Sequence, residues 1–98
     1  MDLAAILAGV QDQAAAVPAI GNSLKIDFGE QKIFIDGTGD TNVVSSEDLD
    51  ADCTISITPE NFLALTTGKL NPMMAMMTGK VKIKGDMGVA MKLQSLLG

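Results

Sequence analysis

Histidine, arginine, tryptophan and tyrosine are all missing from this 98-residue chain, and cysteine occurs once, as Cys53. Without histidine the chain lacks the commonest general base and the commonest metal ligand. Without arginine it has no bidentate clamp for phosphate or carboxylate and no guanidinium to read guanine. One thiol closes no intrachain disulfide and makes no zinc site. Such cysteine usage is compatible with a reducing cytoplasm, which is the expected location. No apolar run approaches the ~18 residues that a membrane span needs. GxSxG, Walker A, GxGxxG and HExxH motifs are absent as well. These gaps argue against an enzyme, and no cofactor or metal is expected.

What is present fits one folded domain over residues 1–98: hydrophobic residues make up 47 % and charged residues 19 %, enough for a single core. The net charge of −5 is unevenly placed. Residues 1–60 hold eleven acids against two lysines, a balance of −9, whereas residues 61–98 set Asp86 against Lys69, Lys80, Lys82, Lys84 and Lys92, a balance of +4. The acidic total argues against nucleic acid as a partner.

The opening "MDLAAILAGVQDQAAAVPAIG" superficially suggests a secretory signal, but Asp2 stands where such a signal carries Lys or Arg. Leu3, Ile6, Leu7, Val10, Ala14 and Val17 fall at helical spacing, so an amphipathic helix is expected. The final "SLLG" is not a peroxisomal address. After Gly21 the period changes to two. "SLKIDF" and "QKIFID" alternate apolar and polar residues and predict an antiparallel hairpin, with Phe34 alone spoiling the polar face. "TNVVSS" reads as a short third strand and "DCTISI" as a fourth, with Cys53, Ile55 and Ile57 inward. Thr58, Pro59 and Glu60 then form a helix start, and Gly68 suits the stop. Asn71–Pro72 opens another helix, ended at Gly79. "KVKIKG" is a strand with Val81 and Ile83 inward. Asp86 can cap a final helix with Met87, Ala90, Met91 and Leu97 in one stripe, Val89, Leu93 and Leu96 making the rest apolar too. The order α-β-β-β-β-α-α-β-α, with one dry sheet face, predicts an α+β fold.

Candidate chemistry is sparse. Asp36, Asp40 and Glu47 match positions 1, 5 and 12 of a calcium loop, yet Thr41 occupies the place that needs glycine, and the flanks read as strands. A solvated hairpin turn is the better reading. Glu47, Asp48, Asp50 and Asp52 read as a solvated loop. Cys53, on an inward strand face, is expected to behave as a small hydrophobe.

The methionines remain. Six of the seven lie within residues 73–91, four of them in "NPMMAMM". Core packing is the plain reading, but a helix apolar all round cannot satisfy every face against one sheet. Methionine's three torsions let it re-pack around different guests. That suits a wall for an alkyl chain of variable length.

Residues 52–97 closely resemble the sterol carrier protein 2 (SCP2) family. The resemblance rests on "GKLNP" (Gly68–Pro72), "GKVKIKGD" (Gly79–Asp86) and "AMKL" (Ala90–Leu93), in the family's order and spacing. It implies a five-stranded, mainly antiparallel sheet with helices over one face. It also implies a hydrophobic tunnel holding fatty acid, fatty acyl-CoA, sterol or phospholipid without chemical conversion. Carried onto this chain, the walls are Phe62, Leu65, Met73, Met76, Met77, Met87 and Met91 from the helices, with Ile33, Ile35, Ile55 and Ile83 from the sheet. Only Phe34 answers to the family's aromatic-rich second strand, and Met76 and Thr78 stand where Phe and Gln are common. Lys69 and Lys80, beside helix ends, are expected to meet a lipid head group or an anionic membrane surface. The expected partner is therefore a small-molecule lipid. The alternative is a protein–protein interaction module or a homodimer joined through the methionine-rich helices.

Overall fold

The computed structural model describes residues 3–97, with the side chains of Leu3, Pro72 and residues 94–97 outside that description. Its elements are α1 (Leu3–Ala16), β1 (Ser23–Asp27), β2 (Lys32–Asp36), β3 (Val43–Ser45), β4 (Cys53–Ile57), α2 (Pro59–Thr66), α3 (Pro72–Met77), β5 (Val81–Gly85) and α4 (Met87–Leu97). The order is the one expected from periodicity. Among the described residues, no helix is long and apolar enough to cross a membrane.

The helix ends follow from local chemistry. Thr58 caps α2 by accepting a hydrogen bond from the Asn61 amide at 3.1 Å, and Asn71 caps α3 by accepting from Met73 at 2.9 Å. Both helices stop in the same way at a Thr-Gly-Lys triplet. Gly68 and Gly79 take φ of 76° and 75°, which lets the Lys69 and Lys80 amides reach back to the Ala64 and Ala75 carbonyls at 2.8 and 2.9 Å. Asp86 caps α4, its carboxylate accepting from the Gly88 amide at 2.8 Å.

The sheet runs β3-β2-β1-β4-β5, with β1 parallel to β4 and every other pair antiparallel. The register aligns Ile35, Leu24 and Cys53 in one row and Ile33, Ile26, Ile55 and Ile83 in another. Side chains alternate along a strand, so these rows share one face. Ile6, Val10 and Ala14, spaced one helical turn apart on α1, join Phe62, Ala75, Val89, Ala90 and Leu93 against that face in one continuous core. Cys53 is fully buried there, and desolvation together with the Asp86 charge pushes its thiol pKa up, which keeps it protonated and inert.

Because β3 and β4 lie on opposite sides of the β2–β1 pair, residues 46–52 must pass over three interstrand gaps, roughly 14 Å. The helices occupy the inner face, so this strap crosses the outer one. Lys25, which points outward between Leu24 and Ile26, meets Asp48 of the strap at 2.8 Å. Phe34 lies opposite Lys25 in the register and is buried apart from the main core. Phe34, the one apolar residue that broke the polar pattern of β2, thus lies on the face that the strap crosses. In the 36–47 turn the Asp36 carboxylate accepts from the Thr38 amide and hydroxyl, as in a solvated Asx turn. No cluster among the described residues has three side chains able to hold a metal ion.

One expectation about α4 needs correction. The inward residues are Val89, Ala90 and Leu93, while Met87 and Met91 face out; Leu96 and Leu97 lie outside the described side chains, as does Leu3 of the α1 stripe. A helix buries only one stripe, and fixing Val or Leu costs less rotamer entropy than fixing Met.

The link between α1 and β1 is held by Asn42, the one buried polar residue described. Its side-chain oxygen accepts from the Ile20 amide at 3.0 Å, and its NH2 donates to the carbonyls of Ala14 at 3.2 Å and Pro18 at 3.0 Å. The first of these carbonyls belongs to the unsatisfied last turn of α1. Lys92 of α4 donates to the Ile20 carbonyl at 2.8 Å and to Asn22 Oδ1 at 2.6 Å, fastening the same link from the other side.

Two outcomes follow for stability. Asn42→Leu strands buried polar groups at no gain in volume and should cost roughly 2–4 kcal/mol, read as a lower midpoint in chemical denaturation; an unchanged midpoint would show that the staple contributes nothing. The hydrogen bond and charge of Lys25 hold the Asp48 carboxyl below its ordinary range. A depressed carboxyl pKa stabilises the fold above the unfolded value of 3.8 and loses that contribution as pH falls through the folded value. Asp48→Asn should therefore leave a protein whose stability falls less steeply below about pH 4. At the alkaline end the same pair is lost only above the raised pKa of Lys25.

Candidate functional site

The expected wall residues divide into two groups. Ile33, Ile35, Ile55 and Phe62 are buried in the core, and Leu65 and Ile83 are half-buried at its margin. Met73, Met76, Met77, Met87 and Met91 are all exposed, Met77 at 80 %, Met73 at 74 % and Met91 at 73 %. The structure thus brings the sheet residues and Phe62 together and leaves the methionines on the outside of the helical layer. The short α3 makes the reason plain. In this six-residue helix, which packs against β5, Ala75 is fully buried while Met73, Met74, Met76 and Met77 are exposed.

Exposed methionines in this number are unusual for a stable surface. Met74 and Leu63 are exposed too, so α2, α3 and α4 all present large apolar side chains to solvent. Lys69 and Lys80 are exposed, each following the glycine that ends a helix; Lys82 and Lys84 alternate outward from Val81 and Ile83 on the edge strand β5. None of these four ammonium groups has an ion-pair partner among the described residues. The region therefore combines adaptable apolar groups with uncompensated positive charge.

Two clefts flank α1. One, of about 210 Å3, lies between α1 and α2 and is lined by Ala5, Ile6, Gly9, Val10, Gln13, Phe62, Leu63 and Thr66. The other, of about 360 Å3, lies on the opposite side and is lined by Ala4, Leu7, Phe28, Gln31, Lys32, Ile33 and Ser46. Lys32 is already paired there with Asp27 at 3.3 Å. Periodicity identified Ile6, Leu7 and Val10 as core without showing that they border space. The signal that could have shown it is Gly9, a poor helix former in the middle of an alanine-rich helix.

Comparison with known proteins agrees with this arrangement. The sequence pattern of the "SCP-2 sterol transfer family" matches residues 3–98. Sterol carrier protein 2 of Homo sapiens is 53 % identical over 58 residues, which are 59 % of this chain and 11 % of that protein. The chain therefore spans only a small part of the length of such relatives. Among solved structures, the sterol carrier protein domain 2 of Helicoverpa armigera matches with a TM-score of 0.62 and 31 % identity, covering 81 % of this chain and 68 % of that one. Palmitated SCP2L2 from Aedes aegypti shares the fold, with a TM-score of 0.63 and 22 % identity over 97 % of this chain and 89 % of that one. A dry sheet face under a helical layer, motifs in the right order and a match over nearly the whole length lead to one conclusion: the chain belongs to the SCP-2 sterol transfer family.

Proposed function

We propose that the chain binds a single-chain lipid, a fatty acid or fatty acyl-CoA, and hands it on without chemical change. The observation that carries this reading is the exposure of six methionines on α3 and α4, beside a continuous apolar core, in a member of a lipid-transfer family. In the lipid-bound state Met73, Met76, Met77, Met87 and Met91 fold over the guest. Phe62, Leu65, Ile33, Ile35, Ile55 and Ile83 form the firmer side of the site. A flexible wall follows a flexible chain more readily than it follows rigid rings, which ranks sterol behind acyl chains. The Aedes aegypti relative is described as palmitated, which supports the same ligand class.

The energetics are adequate. Burial of each methylene is worth ~0.8 kcal/mol, so a sixteen-carbon chain offers at most about 12 kcal/mol before association and ordering are subtracted. Micromolar binding is within that range. Lys69 and Lys80 supply positive charge for a carboxylate or CoA phosphate, and contact with an anionic membrane surface during transfer draws on the same groups.

Native mass spectrometry of delipidated protein offered palmitate should show a one-to-one adduct. Replacing both Met76 and Met91 by Gln should weaken palmitate by at least about tenfold, because two apolar contacts are lost on binding. Both residues are exposed in the free protein, so the melting temperature should stay within roughly 3 °C. An unchanged palmitate affinity, or a protein that accepts no lipid and runs as a dimer, would refute the reading in favour of a protein interface. Changing Lys69 and Lys80 together to Gln should weaken palmitoyl-CoA more than hexadecanol; equal losses would remove the charge role.

A further inference from the structure

Two of the three phenylalanines in the chain meet between the two clefts. Phe28, just after β1, lines the larger cleft, and Phe62 of α2 lines the smaller one. Their rings stand edge to face, with centroids 5.5 Å apart and planes at 85°. α1 lies above, with Leu7 on the Phe28 side and Ile6 and Val10 on the Phe62 side. The spaces are therefore separated by one aromatic contact and one helix.

The smaller cleft has a defined chemistry. Its floor is Ile6, Val10 and Phe62, and it carries no charged side chain; its polar members are Gln13 and Thr66, the latter already donating to the Leu63 carbonyl at 2.8 Å. An apolar cavity of about 150 Å3 takes a benzene-sized guest. At about 210 Å3 and open on one side, this cleft suits a short length of alkyl chain better than a rigid fused-ring sterol. Gly9 forms part of its wall. A Cβ at Gly9 would meet nothing within 4 Å, and its φ needs no glycine, so neither crowding nor backbone geometry explains a residue that helix interiors disfavour. Open space beside Phe62 is what the glycine preserves. On the other wall, Thr66 ends α2 three positions before Lys69.

We propose that the α1–α2 cleft seats the far end of a bound acyl chain, and that the Phe28–Phe62 pair is the stop that sets how long a chain the protein accepts. This rests on the lipid-binding reading above and adds the position of the tail and the residues that select its length. A chain entering past the methionines with its head near Lys69 ends against Gly9, Val10 and Phe62. A longer chain must turn the Phe28 ring aside and enter the larger cleft, whose rim of Gln31, Lys32 and Ser46 is polar and receives an alkyl end poorly.

The test compares palmitate with decanoate, followed by two-dimensional NMR titration of the delipidated protein. Gly9→Leu fills the cleft from a helix position with room to spare. It should weaken palmitate by at least about tenfold and decanoate by less than about twofold, because only the longer chain reaches that end. Thr66→Phe, closing the cleft from the opposite wall, should do the same. Phe28→Ala joins the two clefts and should shift the best-bound chain to more than sixteen carbons. Wild-type protein that binds palmitate while Gly9→Leu binds it equally well would overturn this assignment and leave the lipid reading intact. So would a variant that loses both chain lengths alike. Wild-type protein that binds neither acid would overturn both.

Discussion

The parallel pairing of β1 with β4 is the constraint on which the rest of the molecule depends. Parallel neighbours cannot be joined by a tight turn. The chain therefore leaves the β1–β2 hairpin, adds β3 at one edge, and returns across the outer face before β4 can lie beside β1. That path commits the outer face to the strap and the inner face to the helices. It also explains the placement of one charge pair: Lys25 and Asp48 hold the strap down where it passes the middle of the sheet. With the strap crossing one face, the helices pack on the other.

The helical layer is uneven in firmness. α1 and α4 meet the sheet through branched or small residues, Ile6, Val10, Ala14, Val89, Ala90 and Leu93, which lose little freedom when buried. α2 and α3 contribute chiefly Phe62 and Ala75. The same sequence thus builds a firm core from β-branched strand residues and leaves its methionines exposed on the outside of α3 and α4.

Much of this was legible in the sequence because it depends on neighbours. Alternation at Leu24, Ile26, Ile55 and Ile57 located strands, and Thr58, Asn71 and Asp86 announced helix starts through contacts only two or three residues long. The family resemblance supplied what local pattern could not, namely the mainly antiparallel sheet. Facing was harder. Met87 and Met91 obey the same helical period as Val89 and Leu93, and only packing against a distant strand decides which pair turns inward. Asn42 gave no local sign either, since its partners lie 22 to 28 residues away. Phe34 looked like an error in a polar face, because the segment that crosses that face belongs to another part of the chain. Gly9 was visible as a helix defect, but the space it leaves is a property of two helices together.

The uneven charge of the sequence becomes directional once the strands take their places. Asp36, Asp40, Glu47 and Asp48 belong to β2, β3 and the turns around them, whereas Lys80, Lys82 and Lys84 follow the far edge at β5. Four interstrand gaps, roughly 19 Å, separate those edges, more than twice the ~8 Å screening length of physiological salt. The molecule is therefore an electric dipole lying in the plane of its own sheet. A negatively charged object repels the net charge of −5 but also exerts a torque, and that torque turns the β5 edge toward it at separations of a screening length, before any apolar side chain makes contact.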